Sequence, residues 1–143
     1  MTTVKQLLDY KGHNILSISP NDSVYAAVER MSENNVGALL VIDNGKLAGI
    51  LSERDYARKV ILMGKSSKNT LIREIMTPDV LCVSPETTVD ECLALLTESR
   101  VRHLPVMDGG KLVGIVSIGD LVKQIISDKE FTIQQLEHYI HSA

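Results

Sequence analysis

Apolar residues along this chain follow two spacings, and each spacing appears twice. Val24, Ala27, Val28 and Met31 fall three and four residues apart, as do Val89, Cys92, Leu93 and Leu96. Such steps bring side chains onto one face of a helix, so a helix with a core-facing side is predicted in each stretch. The runs "ALLVID" and "HLPVMD" then follow, each partnered by a second run, "KLAGIL" or "KLVGIV". Asn44-Gly45 and Gly109-Gly110 separate the members of each pair and supply the positive φ that two-residue hairpin loops demand. A β-hairpin is predicted in each half. Its first strand is almost continuously apolar, which points to burial on both faces.

The two halves are copies. Ser84-Pro85 stands 65 residues after Ser19-Pro20, and the same offset relates Val24 to Val89, Val41 to Val106 and Gly45-Lys46-Leu47 to Gly110-Lys111-Leu112. It also relates Gly49-Ile50, Ser52 and Asp55 to Gly114-Ile115, Ser117 and Asp120. Asp22 and Thr87 stand where the first helix of each copy should be capped, Thr87 and Asp90 having capping-box spacing, and a second helix is predicted after Ser52 and after Ser117. Residues 7–65 and 72–127 are expected to be the two copies, with 128–143 a C-terminal helix. The polar "MGKSSKNTL" reads as their linker. A unit of about 60 residues buries too little surface to be secure alone. The expected α/β fold therefore packs two repeats about a pseudo-twofold axis into one module, with two equivalent clefts. The flanks "TVKQLL", where Thr3 and Gln6 have capping-box spacing, and "FTIQQLEHYI", with Ile133, Leu136 and Ile140 on one face, would cap the pair or form an oligomer contact.

Composition narrows the class. One Phe, four Tyr and no Trp leave core building to aliphatic side chains. A net charge of −3 gives no general attraction to nucleic acid. No stretch approaches the roughly 20 apolar residues of a membrane span, and the start lacks a secretion signal's apolar core, so a cytoplasmic protein is expected. Cys82 and Cys92 have neither metal nor redox-pair spacing and read as small apolar thiols. Glu137, His138 and His141 lie close in sequence with no third partner near the histidines, so no metal site is expected.

Ser52-x-x-Asp55 and Ser117-x-x-Asp120 admit two readings. A serine capping a helix, followed by an acidic residue in the first turn, is a common local device. A helix N-terminus beside a carboxylate also suits phosphate and the paired hydroxyls of a ribose. One helix end can serve both purposes.

The repeated order of Ser-Pro turn, amphipathic helix, apolar strand, Asp-x-Gly-Lys-Leu-x-Gly-Ile and Ser-x-x-Asp resembles the CBS domain, named after cystathionine β-synthase. The resemblance runs from about residue 7 to about residue 127, and tandem copies are that family's usual unit. It implies clefts that bind AMP, ADP, ATP, S-adenosylmethionine or NAD(H). Carried over by position, Ser52 with Asp55 and Ser117 with Asp120 would hold ribose hydroxyls, while Arg102 and His103 in "RHLPV" would reach phosphates. The first copy has Gly37 and Ala38 at those places, and Arg54 and Arg58 where the second has Gly119 and Lys123. The turns "LSISP" and "LCVSP" nominate Ser17, Ile18, Cys82 and Val83 for backbone pairing with adenine. Unequal clefts are expected, with the Asp55 cleft the better nucleotide site.

No nucleophile, base and orienting residue converge, and neither a Walker loop nor GxGxxG is present, so no catalytic residue and no catalytic cofactor are expected. The reading is a regulatory module for AMP or another adenosine-containing ligand, signalling by changed conformation to an effector protein or a second copy. A constitutive protein-interaction module without nucleotide is the alternative. The resemblance also implies a homodimer, with Val60, Ile61 and Leu62 as contacts. Neither nucleic acid nor membrane is an expected partner.

Overall fold

The computed structural model describes residues 1–142, with side chains up to residue 140. The chain forms two compact units, one made of 14–81 and the other of 1–13 together with 82–143.

In the 14–81 unit, β1 (Ser17–Ile18), β2 (Ala38–Asp43) and β3 (Lys46–Ser52) form one sheet in that order, β1 parallel and β3 antiparallel to β2. Asn44 and Gly45 both have positive φ, which closes the β2–β3 hairpin as a tight primed turn. Helix α2 (Val24–Asn34) buries Val24, Ala27 and Met31, which join Leu39, Val41 and Leu51 in one aliphatic core. Helix α3 (Glu53–Tyr56) runs into a wider π turn over Ala57–Ile61, and α4 (Ile72–Ile75) buries both its isoleucines.

The second unit repeats the plan with α5 (Val89–Ser99), β4 (His103–Asp108), β5 (Lys111–Ser117) and α6 (Ile118–Ser142). Register is conserved at the sequence offset: Asp43 pairs with Lys46 and Asp108 with Lys111, and each hairpin carries a bulge, after Val41 and after Val106. A single bridge from Val83 to Val106 takes the place of β1. Helix α1 (Val4–Lys11) belongs to this unit: Val4 N–H donates to Thr87 O at 2.8 Å and Lys5 N–H to Pro85 O at 2.9 Å. In the other unit α4 makes the same contacts, Ile72 N–H to Asp22 O at 2.9 Å and Arg73 N–H to Pro20 O at 3.0 Å. The helix leading into each copy thus docks in the unit built from the other copy's hairpin.

Two local expectations are corrected. The caps of α2 and α5 are Ser23 and Thr88, Thr88 forming the capping box with Glu91. Asp22 and Thr87 lie one residue earlier and accept from Ser19 N–H and Ser84 N–H inside the preceding turns. Nor is 63–71 only a linker. Tyr25 N–H donates to Ser67 O and Val24 N–H to Thr70 O, which ties this segment to the first turn of α2. Buried Thr70 returns its hydroxyl to Ser66 O at 2.7 Å.

Candidate functional site

Strand β3 ends where α3 begins, and Ser52 is the joint. Its extended backbone (φ −120°, ψ 164°) lets the hydroxyl accept Asp55 N–H at 3.2 Å. Asp55 Oδ2 accepts Ser52 N–H at 3.0 Å and the Ser52 hydroxyl at 3.1 Å, completing a reciprocal capping box. Lys59 Nζ stands 3.3 Å from Asp55 Oδ1 and donates to Ile75 O at 3.0 Å. The Asp55 side chain is 17% exposed. It is held on the protein side and still open on the other.

Ser117 repeats the joint. It accepts Asp120 N–H at 3.1 Å, and Asp120 Oδ2 accepts Ser117 N–H at 2.8 Å. Here the ammonium comes from α1: Lys11 Nζ lies 2.5 Å from Asp120 Oδ2 and donates to Ile115 O at 2.7 Å. Burial alone would raise the Asp120 carboxyl, but the Lys11 hydrogen bond, the Ser117 N–H and the Lys11 charge outweigh it and hold the group below the ordinary carboxylate range. Each carboxylate therefore has a serine cap and a lysine. Lys59, four residues after Asp55, was recognisable as a helical pair. Lys11 carries no local signal.

The other nominated residues distribute as follows. Arg102 and His103 lie beside the second motif, since Ile118 N–H donates to Arg102 O at 2.9 Å and His103 pairs with Ser117 across the hairpin. In the first copy Glu53 N–H donates to Gly37 O at 3.0 Å, and Ala38 pairs with Ser52. Arg54 and Arg58 are exposed, on α3 and on the π turn after it. A Cβ on Gly119 would meet only Ser117 Oγ, at an ordinary 3.6 Å, so the space in front of that helix start is open. Ile18 and Val83 are core residues, and Val83 spends its N–H on Pro105 O and its carbonyl on Met107 N–H. The Ser17 carbonyl accepts from the Arg30 guanidinium. Cys82 is half-buried, its thiol pushed up by burial.

Among the described residues no three His, Cys, Asp or Glu side chains are grouped to hold a metal. Glu137 and His138 are exposed on α6, and the His141 side chain lies outside the described residues. No described helix is long and apolar enough to cross a membrane.

Two hairpin-and-helix copies, each with a capped carboxylate where its second helix starts, define a tandem-repeat α/β protein whose polar sites are suited to holding hydroxyl groups. The chain belongs to the CBS domain family: the CBS domain model matches residues 4–61 and 72–127. It is similar to the mitochondrial CBS domain-containing protein CBSX3 of Arabidopsis thaliana, 40% identical over 148 residues that span 97% of this chain and 72% of the relative. A solved structure of a CBS-domain protein from Burkholderia ambifaria MC40-6, put forward as a signal-transduction protein, is 55% identical with a TM-score of 0.86, covering 89% of this chain and 96% of that one. The hexameric CBS-CP12 protein of bloom-forming cyanobacteria is 29% identical with a TM-score of 0.75, covering 84% of this chain and 66% of that one. A tandem CBS module of this kind is consistent with a regulatory or signal-transduction role, and the family matched is a domain family rather than a catalytic one.

Proposed function

We propose that the chain is a sensor of an adenosine-containing ligand, AMP, ADP, ATP, NAD(H) or S-adenosylmethionine, and that the primary site is at Asp55. The observation that carries this reading is the Asp55 carboxylate, fixed by its own serine cap and still open to solvent. A pre-oriented carboxylate can accept from both hydroxyls of a ribose without first losing side-chain entropy. Asp55 is preferred over Asp120 because its lysine contact is the longer, 3.3 Å against 2.5 Å, and is the more easily exchanged for a ligand hydroxyl. Ser52 would assist Asp55, and Arg54 and Arg58 would offer charge to phosphates at that end; Ser17 in the one unit and Cys82 in the other would each offer backbone groups to an adenine. Arg102, His103, Ser117 and Gly119 would serve a second, weaker site at Asp120. Ile18 and Val83 would support these contacts from the core. The module would bind without turnover and act on an effector protein or a second copy. A ligand at 100 times its dissociation constant would stabilise the bound form by about 2.7 kcal/mol, enough to shift a marginal equilibrium.

Calorimetric titration of nucleotide-free protein with AMP, ATP, NADH and S-adenosylmethionine tests this, run beside Asp55→Ala and Asp120→Ala. Micromolar binding of one ligand that is lost in Asp55→Ala and kept in Asp120→Ala is expected, both variants being checked for a cooperative melt. Silence across the panel would return Ser52-x-x-Asp55 to the role of helix cap.

A further inference from the structure

In the 14–81 unit the chain leaving α4 is held to β3 by backbone: Ile50 N–H donates to Thr77 O at 3.0 Å, and Thr77 N–H donates back to Ile50 O at 2.9 Å. Ile115 stands where Ile50 does in the repeat, but α1 runs on to Lys11, and here the hold on β5 is made by side chains. Lys11 Nζ donates to Ile115 O at 2.7 Å, and His13 Nδ1 donates to Val113 O at 2.9 Å. Between them Gly12 turns the chain with a φ of 106°. At Asn14 the chain enters the other unit. Residues 11–13 are thus a strap along β5, fastened by two side chains that can let go without opening a backbone ladder.

The fastening ammonium also occupies Asp120. Asp120 Oδ2 accepts both Ser117 N–H at 2.8 Å and Lys11 Nζ at 2.5 Å, which spends the two lone pairs of that oxygen. A pair of ribose hydroxyls, received one on each carboxylate oxygen, finds this one taken. We infer that Lys11 is an internal gate: it shuts the second site against an adenosine-containing ligand, and a ligand that takes Asp120 displaces Lys11 and unfastens the 11–13 strap. The inference rests on the nucleotide reading of the Ser-x-x-Asp sites and adds a regulation to it. Lys11 and Asp120 keep 34% and 22% of their side-chain surface exposed, so their attraction is a modest one that a ligand can overcome. Apparent affinity at the second site is lowered by the fraction of molecules whose gate stands open.

The test is calorimetric titration of the full chain carrying Asp55→Ala, which leaves Asp120 as the remaining carboxylate of the two motifs, with AMP, ATP, NADH and S-adenosylmethionine. Adding Lys11→Met should tighten binding of the ligand that the wild type takes by at least about tenfold, and adding Asp120→Ala to both should abolish the gain. Lys11→Arg keeps a cation within reach of Asp120 and should leave the affinity of Asp55→Ala unchanged. Lys11→Gln replaces Lys11→Met if the latter loses its cooperative melt. Equal affinity with and without Lys11, or an equal gain from Lys11→Arg, would overturn the gate. Weaker binding in Lys11→Met would make Lys11 a ligand contact and overturn it as well. In each of those cases binding by the wild type leaves the nucleotide reading standing, whereas silence in the wild type and in every variant would sink that reading and the gate together.

Discussion

Gly49 and Gly114 occupy the same place in the two copies, yet substituting them should have unequal effects. A Cβ on Gly49 would sit 2.8 Å from the Thr77 carbonyl oxygen and 2.9 Å from Met76 Sδ. That carbonyl accepts Ile50 N–H at 3.0 Å, and Thr77 N–H donates back to Ile50 O at 2.9 Å. Backbone must move to admit the methyl, straining two hydrogen bonds worth about 1 kcal/mol each, on top of about 1 kcal/mol of overpacking. Alanine's smaller unfolded-state entropy returns about 0.7 kcal/mol. Gly49→Ala should therefore destabilise by about 2 kcal/mol. At Gly114 the Cβ would meet Leu8 Cδ1 and Cδ2, each at 2.8 Å, ends of a buried side chain that must shift within the core, where no backbone atom stands in the way. Only overpacking of about 1 kcal/mol opposes the same entropic gain, leaving a net loss below about 1 kcal/mol. With about 4 °C lost per kcal/mol for a chain of this size, the melts should fall by about 8 °C and less than about 4 °C. The chain has no Trp, so circular dichroism at 222 nm is the assay. An equal or larger loss in Gly114→Ala would refute the distinction between backbone and side-chain obstruction.

Acid and base should each reveal a specific group. Asp120 titrates below its unfolded value, so its stabilising contribution is complete above the unfolded carboxylate pKa, near 4, and fades as pH falls through the lower folded value. Lys11→Met should flatten that part of a plot of melting temperature against pH, and an unchanged acid limb would show that the Lys11–Asp120 contact does not operate in solution. Burial, and then the Glu91 charge, push the Cys92 thiol up to about 11. Its contribution is intact below the unfolded thiol pKa and lost as pH rises toward 11. At pH 8 Cys92 should accordingly resist a thiol reagent until the chain is unfolded, and fast modification of the native protein would contradict that burial.

The alternation of helix and hairpin was legible in the residues because both elements are specified within a few positions. Val24, Ala27 and Met31 bury through helical spacing alone, and Asn44-Gly45 turns because both residues tolerate positive φ. Repetition made each reading checkable against its copy, and the structure repeats further still, down to the bulges after Val41 and Val106 that the sequence did not announce. The caps were displaced by one because Asp22-Ser23 and Thr87-Thr88 offer adjacent side chains that can each bond a free N–H, and only the turn geometry decides which belongs to the helix. The serine-aspartate joints were local too, closing over three residues. What the tertiary structure alone decided lies far apart along the chain. The leading helices α1 and α4 dock in corresponding ways but are offset by 68 residues instead of 65, so the repeat hid their kinship. Lys11 reaches Asp120 across 109 positions, a contact no window of sequence can hold. It exists because folding brings α1 beside β5, and it makes two sites with the same motif electrostatically unequal.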